Sequence, residues 1–306
     1  MRKTLLPLLP LLSLLLFISC TSSQRAAMVV SNMKPIMEKM SIATNKNADF
    51  QTVRQAMPAN LVQLDGFIEA APDNRDLLLH AAEAYSGYAF LFVEDTDKRR
   101  AVKLHKKARD YALRALMQND DMPDPLNCSN DEFCEGLKKL TKDDVRALFF
   151  STNSWLPYLG MGWKFDQSIA NDRPKVLAMM DRMMELDDTF NFGAIHVMFG
   201  CYYSGRPETH GGDMELSLNH FEKAFELSDS RFLPWYYLFA KYFCVQTQDR
   251  DRFVSTLNMI INAPEDLLPD KAFANAATKA KAKQLLSMAD VFFEKDGAYL
   301  KKNLYL

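Results

Sequence analysis

The chain has 306 residues, 48% of them hydrophobic, and its 37 lysines and arginines nearly balance its 39 aspartates and glutamates. This composition belongs to a globular protein and excludes a disordered or collagen-like chain, either of which would need far more glycine, proline or unbalanced charge. A formal net charge of −2 gives no basic field for a phosphate backbone, so no nucleic acid is expected as a partner. The length is sufficient for one large core or two modest ones.

The first twenty residues have the features of an export signal. A basic start precedes a leucine-rich run over 5–18 that is too short for a membrane-spanning helix. Leu16-Phe17-Ile18, Ser19 and then Cys20 follow in order, which resembles the lipobox of bacterial lipoproteins. That resemblance implies a signal peptide over 1–19 and lipid attachment at Cys20. The alternative is an ordinary secretory signal in which the cysteine stands by chance.

Lipid attachment would determine where the protein works. Two or three acyl chains anchor a protein stably to a bilayer, so we expect a periplasmic lipoprotein, with the outer leaflet of the cytoplasmic membrane favoured. Residues 20–48 would form a lipidated linker and a first helix, the polar stretch 21–24 serving as linker. Residues 49–306 would form one helical domain.

The rest of the chain has the periodicity of helices. From Asp49 onward apolar residues recur at intervals of three and four, and the alternation typical of strands is nearly absent. Over 75–92, Leu78, Ala82 and Tyr85 share one helix face. The same spacing predicts helices over 97–117, 173–186, 190–203, 214–227, 232–245, 250–261 and 271–293.

Short polar connections between these helices predict antiparallel hairpins in series, an α-solenoid. The segment 221–227 resembles the second helix of a tetratricopeptide repeat, with Ala224 at its closest packing position, although the strict period of about 34 residues is missing. We therefore predict an all-α fold of degenerate tetratricopeptide-like repeats without a sheet. A loop over 120–131, rich in Asp, Pro and Asn, would separate an N-terminal from a C-terminal group of helices.

Residues suited to catalysis or metal binding are few. His196, His210 and His220 lie near Cys201 in sequence, but no pair has the i, i+4 spacing of helical zinc ligands, so solvated histidines are favoured. The acidic loop 120–131 lacks the ligand spacing and central glycine of a calcium loop. Neither a nucleophile elbow nor a phosphate-binding glycine loop is found. We therefore expect no catalysis, no metal and no cofactor.

Two cysteines share one stretch of the chain, Cys128 and Cys134. Export places them in an oxidising compartment, where they could form a disulfide. Two free, partly buried thiols are an equal alternative, because cysteine often serves as a small hydrophobic residue.

Two aromatic clusters are the best candidates for a binding site. Rings at helical spacing usually belong to the core. However, Pro157 and Gly160 must distort the helix that carries the first cluster, and tyrosine and tryptophan favour a wet edge for their polar atoms. We hypothesise that these rings line a ligand groove or channel. The candidates are Trp155, Tyr158, Trp163, Tyr202, Tyr203, Trp235 and Tyr236.

The order of features along the chain resembles one family, the T component of TRAP transporters associated with tetratricopeptide-like proteins (TatT). The segments that carry the resemblance are Cys20, 83–85, Phe92, 94–95, 108–112, Trp155, 162–163, 185–187, 211–227, Asn275, Ala282, Leu285 and Leu286. They extend over the whole mature chain, and their order is more specific than any single motif.

The resemblance implies a periplasmic lipoprotein that assembles as a homotrimer, each protomer enclosing a channel. It also implies association with the solute-binding P component, which hands a small, apolar organic acid to the membrane permease. A different function remains open, an envelope-assembly lipoprotein that holds extended peptides or precursor proteins in tetratricopeptide-like grooves. An enzyme is the least favoured of the three because no acid, base and nucleophile converge.

Overall fold

The computed structural model describes residues 22–293, and the predicted signal peptide and Cys20 lie outside them. Within this span the chain forms α-helices and no strand, which confirms the all-α fold. No helix in the same span is both long and apolar enough to cross a membrane. The helices are α1 (Ser22–Ser31), α2 (Lys34–Lys46), α3 (Phe50–Ala70), α4 (Arg75–Tyr88), α5 (Lys98–Leu116), α6 (Asn130–Lys139), α7 (Val145–Gly162), α8 (Arg173–Leu186), α9 (Phe190–Ser204), α10 (Met214–Leu227), α11 (Leu233–Leu238), α12 (Arg250–Asn262), α13 (Ala272–Ser287) and α14 (Ala289–Phe292).

Most helix ends lie where the sequence predicts them. Helices α8 and α10 have the predicted bounds. Asp97, Asp213 and Asp249 cap α5, α10 and α12, each accepting a backbone N–H three residues later at 2.9 to 3.0 Å. An aspartate in this position satisfies one of the helix's first free N–H groups. These caps fix the length of the turn before each helix.

Two regions differ from the expectation. Helix α1 begins at Ser22, so the end of the proposed linker is helical, and two helices precede Asp49 instead of one. The loop over 120–131 ends in α6, which begins with a capping box between Ser129 and Glu132. This loop does not divide the core, because α5 and α7 on either side of it pack against each other. The helices on both sides share one hydrophobic cluster.

The hairpins form a closed ring. Neighbouring helices pack in sequence order, α3 on α4, α4 on α5, α9 on α10 and α12 on α13. Helix α13 also contacts α2 and α3, so the last hairpin meets the first. At this junction, which we call the seam, Val53, Phe273 and Ala277 form a buried cluster. The ring centroids of Phe92 and Phe273 lie 6.2 Å apart across it.

A cluster of charged groups joins the two halves of the ring beside the seam. The carboxylate of Asp95 accepts hydrogen bonds from Lys241 at 3.0 Å, from the Tyr237 hydroxyl at 3.2 Å, and from Lys281. Burial acts to raise the pKa of Asp95, but the two lysines more than offset it and hold that pKa well below its usual range. Asp95 is therefore ionised and tied to three side chains from the C-terminal half.

A π-helical turn over Ala89–Val93 positions this cluster. The N–H of Glu94 donates to the carbonyl of Ala89, five residues back, at 3.0 Å. An α-helix would direct that N–H to Phe90 instead. The carbonyl of Phe90 accepts from Lys281 at 2.7 Å, so the turn allows a distant lysine to bond to the helix backbone.

Candidate functional site

The ring encloses a cavity of about 1630 Å³. Its wall includes residues of α2 to α5, α7 to α9, α11, α13 and both π-helical segments. Most of these residues are apolar, and the volume exceeds the roughly 300 to 1,000 Å³ of common small-molecule sites. A cavity of this size and character can hold an organic molecule with a substantial apolar part.

Three of the seven predicted aromatic residues lie on the cavity wall, Trp163, Tyr202 and Trp235. They come from three different parts of the ring, the end of α7, α9 and α11. The indole Nε1 of Trp235 donates to the carbonyl of Phe192 at 2.8 Å. The polar atom of this side chain is therefore hydrogen-bonded within the protein, while part of the indole ring faces the cavity.

The other predicted residues do not line the cavity: Trp155, Tyr158, Tyr203 and Tyr236. Trp155 is 0% exposed, and the guanidinium of Arg109 lies 5.4 Å from its ring centroid. Tyr236 stacks on Phe225 with ring centroids 4.0 Å apart. Helical spacing places all four on apolar faces, but those faces pack against neighbouring helices.

Both π-helical segments contribute to the wall. Phe90 and Leu91 come from Ala89–Val93, and Tyr242 comes from Phe239–Cys244. A π-helical turn widens the helix and turns side chains away from their regular directions, and such turns are frequent at functional sites. Sequence periodicity did not predict either of them.

A left-handed turn is a further feature of the wall. Asn191, Phe192 and Gly193 have φ angles of 50°, 61° and 70° at the start of α9, where the sequence predicted regular helix. Such angles cost about 1 to 3 kcal/mol for a residue other than glycine. The hydrogen bond from Trp235 and the stacking of Phe192 on Phe232, with centroids 5.0 Å apart, hold the turn in place. Strain of this kind is concentrated at functional sites.

Glu94 and His105 form a hydrogen-bonded pair on the wall. The Nε2 of His105 lies 2.8 Å from an oxygen of Glu94, and both side chains are buried. Burial acts to raise the pKa of Glu94, but His105 beside it holds that pKa below its usual value. The Nδ1 of His105 is also buried and has no hydrogen-bond partner among the residues described, so the pair is satisfied only in part.

The remaining charges of the wall are mainly positive. Arg146 lies 3.8 Å from Asp76 and 3.9 Å from Glu83. Within residues 22–293, Arg173, Arg206 and Lys271 form no ion pair although all three line the cavity. These three residues gave no signal in the sequence, because each stands in or near a turn where an exposed cation is ordinary.

The histidines that the sequence groups together lie in two places. His196 and His220 are in contact, with 3.0 Å between their Nδ1 atoms, and the Nε2 of His196 lies 3.5 Å from Asp188. His210 stands on a separate turn. Burial raises the pKa of Cys201. Among the residues described, no group of three or more His, Cys, Asp or Glu side chains is arranged to hold a metal ion.

Cys128 and Cys134 are free thiols, both half-buried. Burial raises the pKa of Cys128, which disfavours its reactive thiolate form.

Comparison with known proteins connects this structure to a family. A model of the family described as the TRAP transporter T-component matches residues 46–293. The chain is also similar to an uncharacterised protein of Treponema pallidum (strain Nichols), with 21% identity over 261 residues that cover 80% of each chain. The family match includes every helix from α3 to α14 and therefore most of the cavity wall.

Proposed function

We propose that this chain, which belongs to the TRAP transporter T-component family, acts as a periplasmic lipoprotein that docks the solute-binding P component. Membership of the family supports association with a TRAP transporter. We propose that it works as a homotrimer and catalyses no reaction. The transporter would supply the specificity for one solute, and this subunit would hold the P component near the membrane.

The observation that supports a ligand role is the large apolar cavity within the closed ring. We propose that it holds or passes a small hydrophobic organic acid, with Trp163, Tyr202 and Trp235 on the wall. We favour a small ligand over a held precursor protein, because the wall draws its residues from helices of both halves of the chain. A groove for extended peptides would instead run along one face of a repeat array.

Lipid attachment at Cys20 would place the ring at the membrane. One residue, Thr21, separates Cys20 from the start of α1, so the lipid and the first helix would be close together. Mass spectrometry of the native protein should find acyl chains on this sulfur. A Cys20→Ser variant should move from the membrane fraction to the soluble periplasmic fraction.

The docking role is tested by purifying the full chain, with a C-terminal tag, from its own envelope after mild crosslinking. We expect a trimer that retains a solute-binding protein at a fixed ratio. The Cys20→Ser variant is the control for membrane attachment, and it should retain the same protein. A monomer that captures no such protein contradicts the proposal. Capture of a mixed set of precursor proteins would instead support the envelope-assembly alternative.

A further inference from the structure

We infer that Arg206, Arg173 and Tyr202 form a binding site for the carboxylate of an amphiphilic acid on the cavity wall, an inference that rests on the proposed ligand-binding role. The three residues lie at the end of α9 and the start of α8. Neither arginine forms an ion pair within the described residues, although both line the cavity.

Arg206 is the centre of the site. Its guanidinium lies over the ring of Tyr202, with 3.3 Å between Cζ and the ring centroid. Its Nε is buried and has no hydrogen-bond partner among the residues described. A buried donor without an acceptor is costly, and burial lowers the pKa of Arg206. Arg206 itself lines the cavity, where a ligand oxygen would meet its guanidinium group.

The neighbouring charge makes an anion the fitting ligand. Arg173 is close enough for its charge to lower the pKa of Arg206 further, and it has no ion pair in the described part of the chain. Two adjacent guanidinium groups repel each other unless an anion lies nearby. By contrast, Arg146 on the same wall is within 4 Å of two carboxylates, those of Asp76 and Glu83.

The charge of the whole wall supports the same conclusion. Its arginines and lysines are Arg146, Arg173, Arg206 and Lys271. Its carboxylates are Glu83 and Glu94, and each already lies beside a basic group of the protein, Arg146 or His105. The wall therefore has an excess of positive charge that an anionic ligand would balance.

A carboxylate on an apolar body matches this arrangement better than other anions. The planar guanidinium presents a fork of N–H donors that fits two carboxylate oxygens. Most of the remaining wall is apolar. Such a wall would leave the further charges of a polyanion poorly solvated, but it suits an alkyl chain or an apolar ring. A neutral lipid would fill the apolar part but leave the positive charges of Arg206 and Arg173 unbalanced.

The experiment compares decanoate with decanol, which share one chain length and differ in charge. Both are titrated calorimetrically into the mature chain carrying Cys20→Ser, which keeps every described residue and needs no detergent. We expect decanoate to bind at least tenfold more tightly than decanol. Arg206→Gln should abolish that preference and leave decanol binding unchanged, and Arg173→Gln should reduce it about threefold to tenfold.

Matched variants separate this site from a general effect of charge. Arg99 is an exposed arginine over a ring, 5.2 Å from the centroid of Phe165 and outside the cavity, so Arg99→Gln should bind like the wild type. Arg206→Lys keeps the charge but loses the fork, and it should retain part of the preference. If Arg206→Gln does not fold, the test rests on two ratios of decanoate to decanol affinity, that of the wild type and that of Arg206→Lys. The ratio should be smaller in Arg206→Lys than in the wild type.

Several outcomes would overturn the inference. These are no binding of decanoate, equal affinity of the wild type for both probes, a preference that survives Arg206→Gln, or one that is lost only in Lys271→Gln. Capture of the P component is measured separately on the same variants. A chain that captures the P component but shows no acid preference contradicts this site alone, whereas failure to capture it contradicts the proposed docking role.

Discussion

At the scale of single residues, Asp95 has the largest expected effect on stability. Replacing it with asparagine would leave Lys281, whose side chain is 6% exposed, without its anion. Breaking a buried ion pair costs about 3 to 5 kcal/mol, and the partial exposure of Asp95 places the expected loss near 3 kcal/mol. Urea unfolding measures it. Asp270→Asn is the control, because its partner Lys46 is 56% exposed and the loss should stay below about 1 kcal/mol. Equal losses would contradict the role of Asp95.

The contact between His196 and His220 predicts a pH-dependent stability. Burial lowers the pKa of both rings, and with His196 beside it the pKa of His220 falls to about 4 from its ordinary 6.5. Asp188 faces His196 from the preceding turn and partly opposes its shift. Burial and the charge of Lys223, which lies on the helix that carries His220, both lower the pKa of His196.

Because burial disfavours the charged form of both rings in the folded state, the stability is complete above pH 6.5 and is lost as the pH falls toward 4. We expect the free energy of unfolding to fall by about 1 to 2 kcal/mol over this interval. His220→Phe keeps the stacking on Tyr203 and Phe199, and it should flatten the pH profile. His210→Gln, a change on a separate exposed turn, should leave the slope unchanged. A profile unaffected by His220→Phe would contradict the prediction.

At the scale of elements, the left-handed turn before α9 depends on Gly193. Its φ is 70°, and an added Cβ would lie 2.7 Å from a methyl group of Leu227. Gly193→Ala should therefore destabilise the protein by about 2 to 3 kcal/mol, through strain and a steric clash together. Gly211 has a φ of 83° with open space around it, so Gly211→Ala should cost only about 1 kcal/mol. Thermal unfolding of both variants measures the difference, and equal losses would rule out the clash.

The elements also show how far sequence reasoning extends. Apolar spacing and aspartate caps such as Asp97 and Asp213 predict the helices closely, because both signals are local. The π-helical and left-handed turns depend on contacts from distant parts of the chain, Lys281 with Phe90 and Trp235 with Phe192. No local pattern contains that information.

The candidate site could be predicted only in part, for a related reason. Periodicity identifies an apolar helix face, but it does not distinguish a face that packs on another helix from one that borders a cavity. Trp155 and Trp163 lie on the same helix or at its end, yet the first is enclosed by neighbouring side chains and the second reaches the wall. The basic residues of the wall gave no sequence signal, since only the fold reveals that Arg206 forms no ion pair within the described residues.

At the scale of the whole molecule, the seam should determine how the ring opens. Phe273 is 6% exposed and packs between the first and last hairpins, so Phe273→Ala should cost about 3 to 5 kcal/mol. Hydrogen exchange should become faster in α2 and α13 before it does in α5 and α7. Phe165 is 48% exposed, and Phe165→Ala should change stability by less than about 0.5 kcal/mol. A uniform rise in exchange across all helices would contradict a local opening at the seam.

The contact between α13 and the first helices limits how such a protein can diverge. In an open repeat array each unit touches only its neighbours, so duplication or loss at an end leaves the remaining interfaces intact. Here the first and last hairpins pack against each other, so inserting or deleting a hairpin would separate Lys281 from Asp95. Relatives should therefore vary in the lengths of their connecting turns and in the side chains that face inward, while the count of helical pairs stays constant.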